Sequence, residues 1–223
     1  MIMDNHFCVH CLSGKQHKCV HTKLHEKRER KIGDLFHTDH QKKPVISWNK
    51  KEYGVILVEN ESGFCKLLPI QHKFNVSEVL IKALKWFACQ IGRHAKELQC
   101  DGGGEFIGPN TEIHKYMEKK GMQYRISVAR TPQSNGMAEV YGKLVCETGL
   151  TIRTAGKVPH KFWPESEIHA ALLLSLIVKK GKTKSPFEMV LGYRYTMEFL
   201  KPLGCHVFSY VDSDERDQFT SHM

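Results

Sequence analysis

The sequence predicts an α/β protein built on a five-stranded mixed sheet that helices flank. The main observation is the order of patterns along the chain: three strand patterns come first, and helical and strand patterns then alternate. Composition agrees, because 41% hydrophobic and 26% charged residues over 223 positions are typical of globular proteins. The longest apolar run, residues 168–178, is far shorter than the roughly 20 residues of a membrane span, so no transmembrane helix is expected.

Three strands are expected before the first helix. Residues 33–40 (GDLFHTDH) form a short candidate, and residues 53–59 (YGVILVE) are apolar and rich in β-branched side chains. Residues 64–70 (FCKLLPI) alternate, and only the turn NESG separates them from the second strand. The second and third strands are therefore predicted to form an antiparallel hairpin.

Beyond residue 70 the chain alternates between helix and strand. Apolar residues recur at helical spacing after Val76, and Gly92 is suited to end that helix in a left-handed conformation. The later elements are expected at residues 95–100 (strand), 111–121 (helix), 122–128 (strand), from about 135 (helix) and 159–178 (helix). In such a sheet, the first and fourth strands are neighbours.

The protein is basic, with a formal net charge of +9 and an isoelectric point near 9.1, which favours a polyanionic partner such as nucleic acid. Residues 15–31 carry seven Lys or Arg against two Glu and almost no apolar side chain, so they are predicted to form an arm. The expected organisation is a basic arm with a partial zinc-binding segment (1–31), a core domain (32–180) and a C-terminal extension (181–223). Candidate phosphate contacts in the arm are Lys15, Lys18, Lys23, Lys27, Arg28 and Arg30.

Cys8 and Cys11 have the spacing of one half of a zinc site. The remaining ligands of a Zn²⁺ site could come from His6, His17, Cys19 or His21. The alternative is a half-site without partners. Because the N-terminus lacks the basic and apolar regions of a secretory signal, we expect a reducing compartment in which the scattered cysteines are small core residues.

Three acidic residues stand where a phosphodiester-cleaving site would need them. Asp39 ends the first strand, Asp101 directly follows the fourth, and Glu139 lies in the first turn of a helix. Because the first and fourth strands are neighbours, Asp39 and Asp101 should meet at one edge of the sheet, and the helix could bring Glu139 over it. Carboxylate oxygens are preferred ligands of Mg²⁺, and two divalent cations about 4 Å apart stabilise both oxygens of an in-line displacement.

The sequence strings around these acids resemble a known family. HTD at 37–39, DGGGEF at 101–106 and TPQSNGMAE at 131–139, with 37 residues between Asp101 and Glu139, are similar to the catalytic core of a copia-type LTR-retrotransposon integrase. Further segments resemble the same family in the same order: CVHCLSGKQHK, VPHKFW, KSPFEMVLGYRY and LKPLGCHVFSYV. The resemblance covers nearly the whole chain.

The resemblance implies an RNase H-like fold, as in retroviral integrases, and a DDE active site in which Asp39, Asp101 and Glu139 bind Mg²⁺ or Mn²⁺. It implies DNA integration, in which a 3′ end is processed and then joined to target DNA. The implied partners are element ends, target DNA and further copies of the chain. A nuclear location with a cytoplasmic particle stage, and no membrane partner, are also expected.

Three more residues are candidate DNA contacts near the implied site. Gln133 and Asn135 resemble positions at the active-site edge, although turn chemistry and an N-cap at Asn135 would explain them too. Lys143 lies one helical turn after Glu139, so it could meet a phosphate or be a solvated lysine.

The chain also departs from the family. Gly63 and Val140 stand where the resemblance leads us to expect Arg. A decayed or domesticated remnant that only binds nucleic acid is therefore the alternative function. Restoring Arg at either position should raise activity if these losses weakened it. A zinc-ribbon regulator would need four clear ligands, and the TPQSNG segment disfavours an RNase H.

Overall fold

The computed structural model describes residues 29–101, 111–126 and 135–207. The strands in these ranges are β1 (Leu35–Lys42), β2 (Tyr53–Glu59), β3 (Cys65–Ile70), β4 (Glu97–Cys100) and β5 (Gln123–Ile126). The α-helices are α1 (Val76–Ile91), α2 (Glu112–Lys119), α3 (Gly136–Ala155), α4 (Trp163–Leu176) and α5 (Pro186–Leu191). Short 3₁₀ turns lie at Lys73–Asn75, His160–Phe162 and Met197–Phe199. None of the helices in the described ranges is long and apolar enough to cross a membrane.

The five strands form one mixed sheet in the order β3-β2-β1-β4-β5. β1 pairs antiparallel with β2 and parallel with β4, while β5 runs parallel to β4. This confirms the predicted sheet and the neighbouring positions of the first and fourth strands. The predicted hairpin of β2 and β3 is also confirmed, with Val58 opposite Cys65.

Several element boundaries differ from the sequence prediction by one to four residues, and two of these differences have a local structural cause. β1 begins at Leu35, two residues later than predicted, because Gly33 takes φ +86 and Asp34 accepts a hydrogen bond from the Lys31 amide in a turn. α4 begins at Trp163, because the preceding residues 160–162 form a 3₁₀ turn. The end of α1 is as predicted, with Gly92 at φ +77.

Each face of the sheet packs against its own pair of helices. On one face, Phe36 and Leu98 pack against α1 and α2, and the rings of Phe36 and Phe87 lie 4.7 Å apart. On the other face, Ile56 and Val58 pack against α3 and α4. Burying each such side chain contributes about 1.5–3 kcal/mol. Because side chains alternate along a strand, the odd-numbered residues of β1 point toward the face that α3 covers.

Candidate active site

Parallel pairing of β1 and β4 brings two carboxylates to one edge of the sheet. His37 of β1 lies opposite Gln99 of β4. Two residues further along stand Asp39, still on β1, and Asp101, directly after the end of β4, and paired strands lie about 4.8 Å apart in such a sheet. The predicted meeting of the two strand ends is therefore present.

The electrostatics of Asp39 reflect this neighbour. Burial, the largest cause, raises the pKa of Asp39 above its usual value, and the charge of Asp101 raises it further. The main-chain amide of His40 opposes this shift by donating a hydrogen bond to Asp39 Oδ1 over 2.8 Å. Two carboxylates that repel each other at a partly buried edge have the chemistry of a site for a hard divalent cation.

Helix α3 is tied to β1 on both sides of Asp39. Ahead of it, Asn135 Nδ2 donates a hydrogen bond to the Thr38 carbonyl over 3.0 Å. Beyond it, Cys146 Sγ donates to Gln41 Oε1 over 3.4 Å. Gly142 permits this close approach, since a Cβ there would lie 3.1 Å from the Gln41 side-chain nitrogen. The helix therefore runs alongside the strand, and its first turn stands over the region of Asp39.

Glu139 lies in this first turn and is exposed. It is one turn after Asn135 and just before Gly142, both of which contact β1. Within residues 29–101, 111–126 and 135–207, no three His, Cys, Asp or Glu side chains form a group that could hold a metal ion. The structure thus brings Asp39 and Asp101 together, and leaves Glu139 as a separate exposed side chain on the helix that packs on the same strand.

Asn135 was a candidate DNA contact, with a helix N-cap as the alternative. It occupies the N-cap position of α3, but its side chain makes no capping hydrogen bond, because its amide donates to Thr38 instead. The residue is only 3% exposed, so it positions the helix and is not placed to reach DNA. His37, two residues before Asp39, is a packed histidine: its Nε2 lies 2.9 Å from Asn60 Oδ1, and burial lowers its pKa.

The other candidate DNA contacts fall into two groups. Arg30 forms an ion pair with Glu97 at 3.3 Å, and the exposed Lys143 lies 3.8 Å from Glu147. The remaining candidate DNA contacts lie outside the described residues: Lys15, Lys18, Lys23, Lys27, Arg28 and Gln133. The candidate zinc ligands Cys8 and Cys11 lie outside them too.

The two positions where Arg was expected differ in the structure. Val140 is 56% exposed on α3 and has room for a longer side chain. Gly63 has φ +70, and a Cβ there would overlap the Lys179 ammonium and the Tyr141 hydroxyl. Lys179 Nζ donates to the Ser62 carbonyl over 2.9 Å and bonds to Tyr141, so a lysine supplies the positive charge at this turn. Sequence reasoning missed Lys179, because its run of lysines and glycine is typical of solvated loops.

The sequence of the chain was compared with those of known proteins. The chain matches no protein-family model. It is 24% identical over 92% of its length to the retrovirus-related Pol polyprotein from transposon RE1 of Arabidopsis thaliana. It is also 27% identical, over 94% of its length, to the retrovirus-related Pol polyprotein from transposon TNT 1-94 of Nicotiana tabacum. The matched segments span 14% and 16% of those relatives, so the chain corresponds to a small part of each.

Two solved structures with a similar fold are retroviral proteins. The catalytic core domain of BIV integrase aligns with a TM-score of 0.53 at 18% identity, over 72% of this chain and 95% of that one. A chain of the simian T-cell lymphotropic virus intasome aligns with a TM-score of 0.63 at 14% identity, over 93% of this chain and 70% of that one. The chain is thus a homologue of one segment of plant retrotransposon Pol polyproteins, and its fold is that of a retroviral integrase catalytic core.

Proposed function

We propose that the chain is a DDE-type integrase core that processes DNA ends and joins them to target DNA. The observation that carries this proposal is the pairing of Asp39 with Asp101 at one sheet edge, where the charge of Asp101 raises the pKa of Asp39. Two repelling carboxylates cost the folded protein stability, and a divalent cation would relieve that cost.

In this proposal Asp39, Asp101 and Glu139 hold Mg²⁺ or Mn²⁺. The cations would stabilise charge on the attacking and leaving oxygens of the phosphodiester. The protein's own contribution is to fix Asp39 on a central strand and to hold Glu139 on a helix whose start Asn135 ties to that strand. Support for the cofactor comes from the HTLV-2 integrase catalytic core, which has this fold and was solved in complex with magnesium.

The proposed partners are element ends, target DNA and further copies of this chain, and the proposed location is the nucleus. The basic balance of the sequence supports DNA. One neighbour by fold is part of an intasome, and another was solved in a trimeric form.

The test is a strand-transfer and 3′-processing assay with labelled duplex ends and Mn²⁺. Asp101→Asn should abolish cleavage while DNA affinity persists, because the carboxylate is proposed to bind metal and not phosphate. Glu147→Gln is the matched control, since Glu147 is an exposed carboxylate on α3 without a proposed role. Unchanged cleavage in Asp101→Asn would contradict the proposal, and absence of cleavage by the unmodified protein would favour the remnant that only binds nucleic acid.

The basic arm is proposed to supply phosphate contacts. Deleting residues 1–28 should make the slope of log K against log[salt] less steep. On duplex DNA, each phosphate contact contributes about 0.9 to the magnitude of that slope. A slope that stays the same would place the DNA-binding surface entirely on the core.

A further inference from the structure

An exposed tryptophan is held in a fixed position near the end of β1. The Trp48 amide donates a hydrogen bond to the Lys161 carbonyl over 3.0 Å, and its Nε1 donates to Glu165 Oε1 over 2.6 Å. The same loop is tied down again where Trp163 Nε1 donates to the Val45 carbonyl over 3.0 Å. In spite of these ties, Trp48 is 58% exposed. The indole is therefore oriented in advance, with the Phe162 ring 6.0 Å away, and its exposed part can accept a planar partner.

The surroundings of Trp48 are basic, apart from Glu165, which accepts the indole hydrogen bond, and the buried Glu167. Residues 42–51 and 148–164 contain seven Lys or Arg and no Asp or Glu. Of these cations, Lys43 is neutralised by a buried ion pair with Glu167 at 2.8 Å. Several of the others are exposed: Lys42, Lys50, Lys157 and Lys161. The surface that carries Trp48 therefore attracts polyanions.

A groove of about 360 Å³ opens on this surface between the end of β1 and the helices α3 and α4. Apolar groups form part of its lining, namely Val45, Leu150 and Trp163. Basic groups also line it, namely Lys42, Arg153 and His160. Apolar walls beside cations fit a nucleobase with its flanking phosphates, since aromatic stacking and backbone charge together bind unpaired strands.

The groove lies close to the candidate active site. Gln41, which also lines the groove, is two residues beyond Asp39 on the same face of β1, which corresponds to about 7 Å along a strand. We propose that the surface formed by Trp48, Lys42, Lys157 and Lys161 binds an unpaired stretch of DNA strand as it leaves the active site. A base stacks on Trp48, and the lysines contact the neighbouring phosphates. This inference rests on the proposed function for the identity of the strand.

The test measures binding of the full chain to a fluorescein-labelled single-stranded oligonucleotide, with a blunt duplex of the same sequence for comparison. Trp48→Ala should weaken single-strand binding about tenfold or more, whereas Trp48→Phe should retain most of it, because stacking costs about 1–3 kcal/mol per base to remove. The single strand should also quench tryptophan fluorescence in the unmodified protein, and this quenching should disappear in Trp48→Phe. Quenching that persists in Trp48→Phe would overturn the stacking, even if Trp48→Ala failed to fold.

The charge contribution is tested with Lys157→Glu/Lys161→Glu. For the single strand, this variant should reduce the slope of log K against log[salt] in magnitude by about 1.4, because each of the two lost phosphate contacts contributes about 0.7. The matched control is Lys119→Glu/Lys120→Glu, which changes two exposed lysines at the end of α2, and should leave the slope closer to that of the unmodified protein. Equal losses in both variants, or equal loss of duplex and single-strand binding, would contradict the inference.

The outcomes separate this inference from the proposed function. If Asp101→Asn loses cleavage while the Trp48 and lysine variants bind normally, the proposed function stands and the surface is wrong. If the surface variants lose single-strand binding but no variant of the chain cleaves DNA, the surface stands and the catalytic proposal is wrong.

Discussion

The side-chain amide of Asn135 donates a hydrogen bond over 3.0 Å to the carbonyl of Thr38, the residue immediately before Asp39. The two residues lie 97 positions apart in the chain, and the bond is buried. It joins the first turn of α3, which carries Glu139, to the central strand that carries Asp39. This hydrogen bond is therefore one of the contacts that fix one proposed catalytic element relative to the other.

Asn135→Ala and Asn135→Asp should therefore impair cleavage as well as stability. Either variant removes the donor and leaves the buried Thr38 carbonyl unpaired, which costs about 1–3 kcal/mol of unfolding free energy. We expect cleavage in Mn²⁺ to fall about tenfold or more, because small misplacements of catalytic groups are costly. Urea unfolding and single-turnover cleavage check this. A variant that folds less stably but cleaves at the normal rate once folded would contradict the positioning role.

Asp39→Asn should stabilise the metal-free protein. The folded-state pKa of Asp39 lies above its unfolded value of 3.8, so the stability linked to this group is fully present below that value and is lost as pH rises through the folded pKa. At pH 7 in EDTA we expect a gain of about 0.5–2 kcal/mol, as for other groups that trade stability for function. The gain should vanish below about pH 4. Mn²⁺ should raise the Tm of the unmodified protein and not that of the variant.

Replacing only one partner of the ion pair between Lys43 and Glu167 should lower the free energy of unfolding substantially. Its atoms are 2.8 Å apart, and each side chain is only 7% exposed. Glu167→Gln leaves a buried ammonium without its counter-charge, which should cost about 3–5 kcal/mol of unfolding free energy. The double variant Lys43→Met/Glu167→Gln should recover much of this loss. As a control, breaking the exposed pair of Lys82 and Glu78 should leave urea unfolding unchanged.

Introducing Arg should affect stability differently at Gly63 and at Val140, the two positions where the resemblance led us to expect Arg. Gly63→Arg should destabilise the protein by about 2–4 kcal/mol, because the position has φ +70 and its Cβ would displace Lys179. Val140→Arg should change stability by less than about 0.5 kcal/mol, since the position is exposed. If activity can be raised at all by these changes, it should rise only in Val140→Arg. Thermal unfolding and strand-transfer assays of the two variants give the comparison.

The sequence by itself determined the order of the elements, the hairpin of β2 and β3, and the meeting of Asp39 with Asp101. These features depend on local periodicity and on the rule that neighbouring parallel strands end at the same edge, both of which a single sequence displays. The string around Glu139 placed that residue in the first turn of a helix, as the structure confirms.

Only the tertiary structure decided how particular polar side chains are used. The bond from Asn135 to Thr38 and the pairing of Lys43 with Glu167 join distant parts of the chain. A local pattern cannot reveal such partners, so Asn135 was a candidate DNA contact or helix cap, and nothing marked Lys179 as the cation beside Gly63. The reason is physical: a polar side chain that leaves water takes whichever donor or acceptor the fold brings to it, and packing of the whole chain selects that partner.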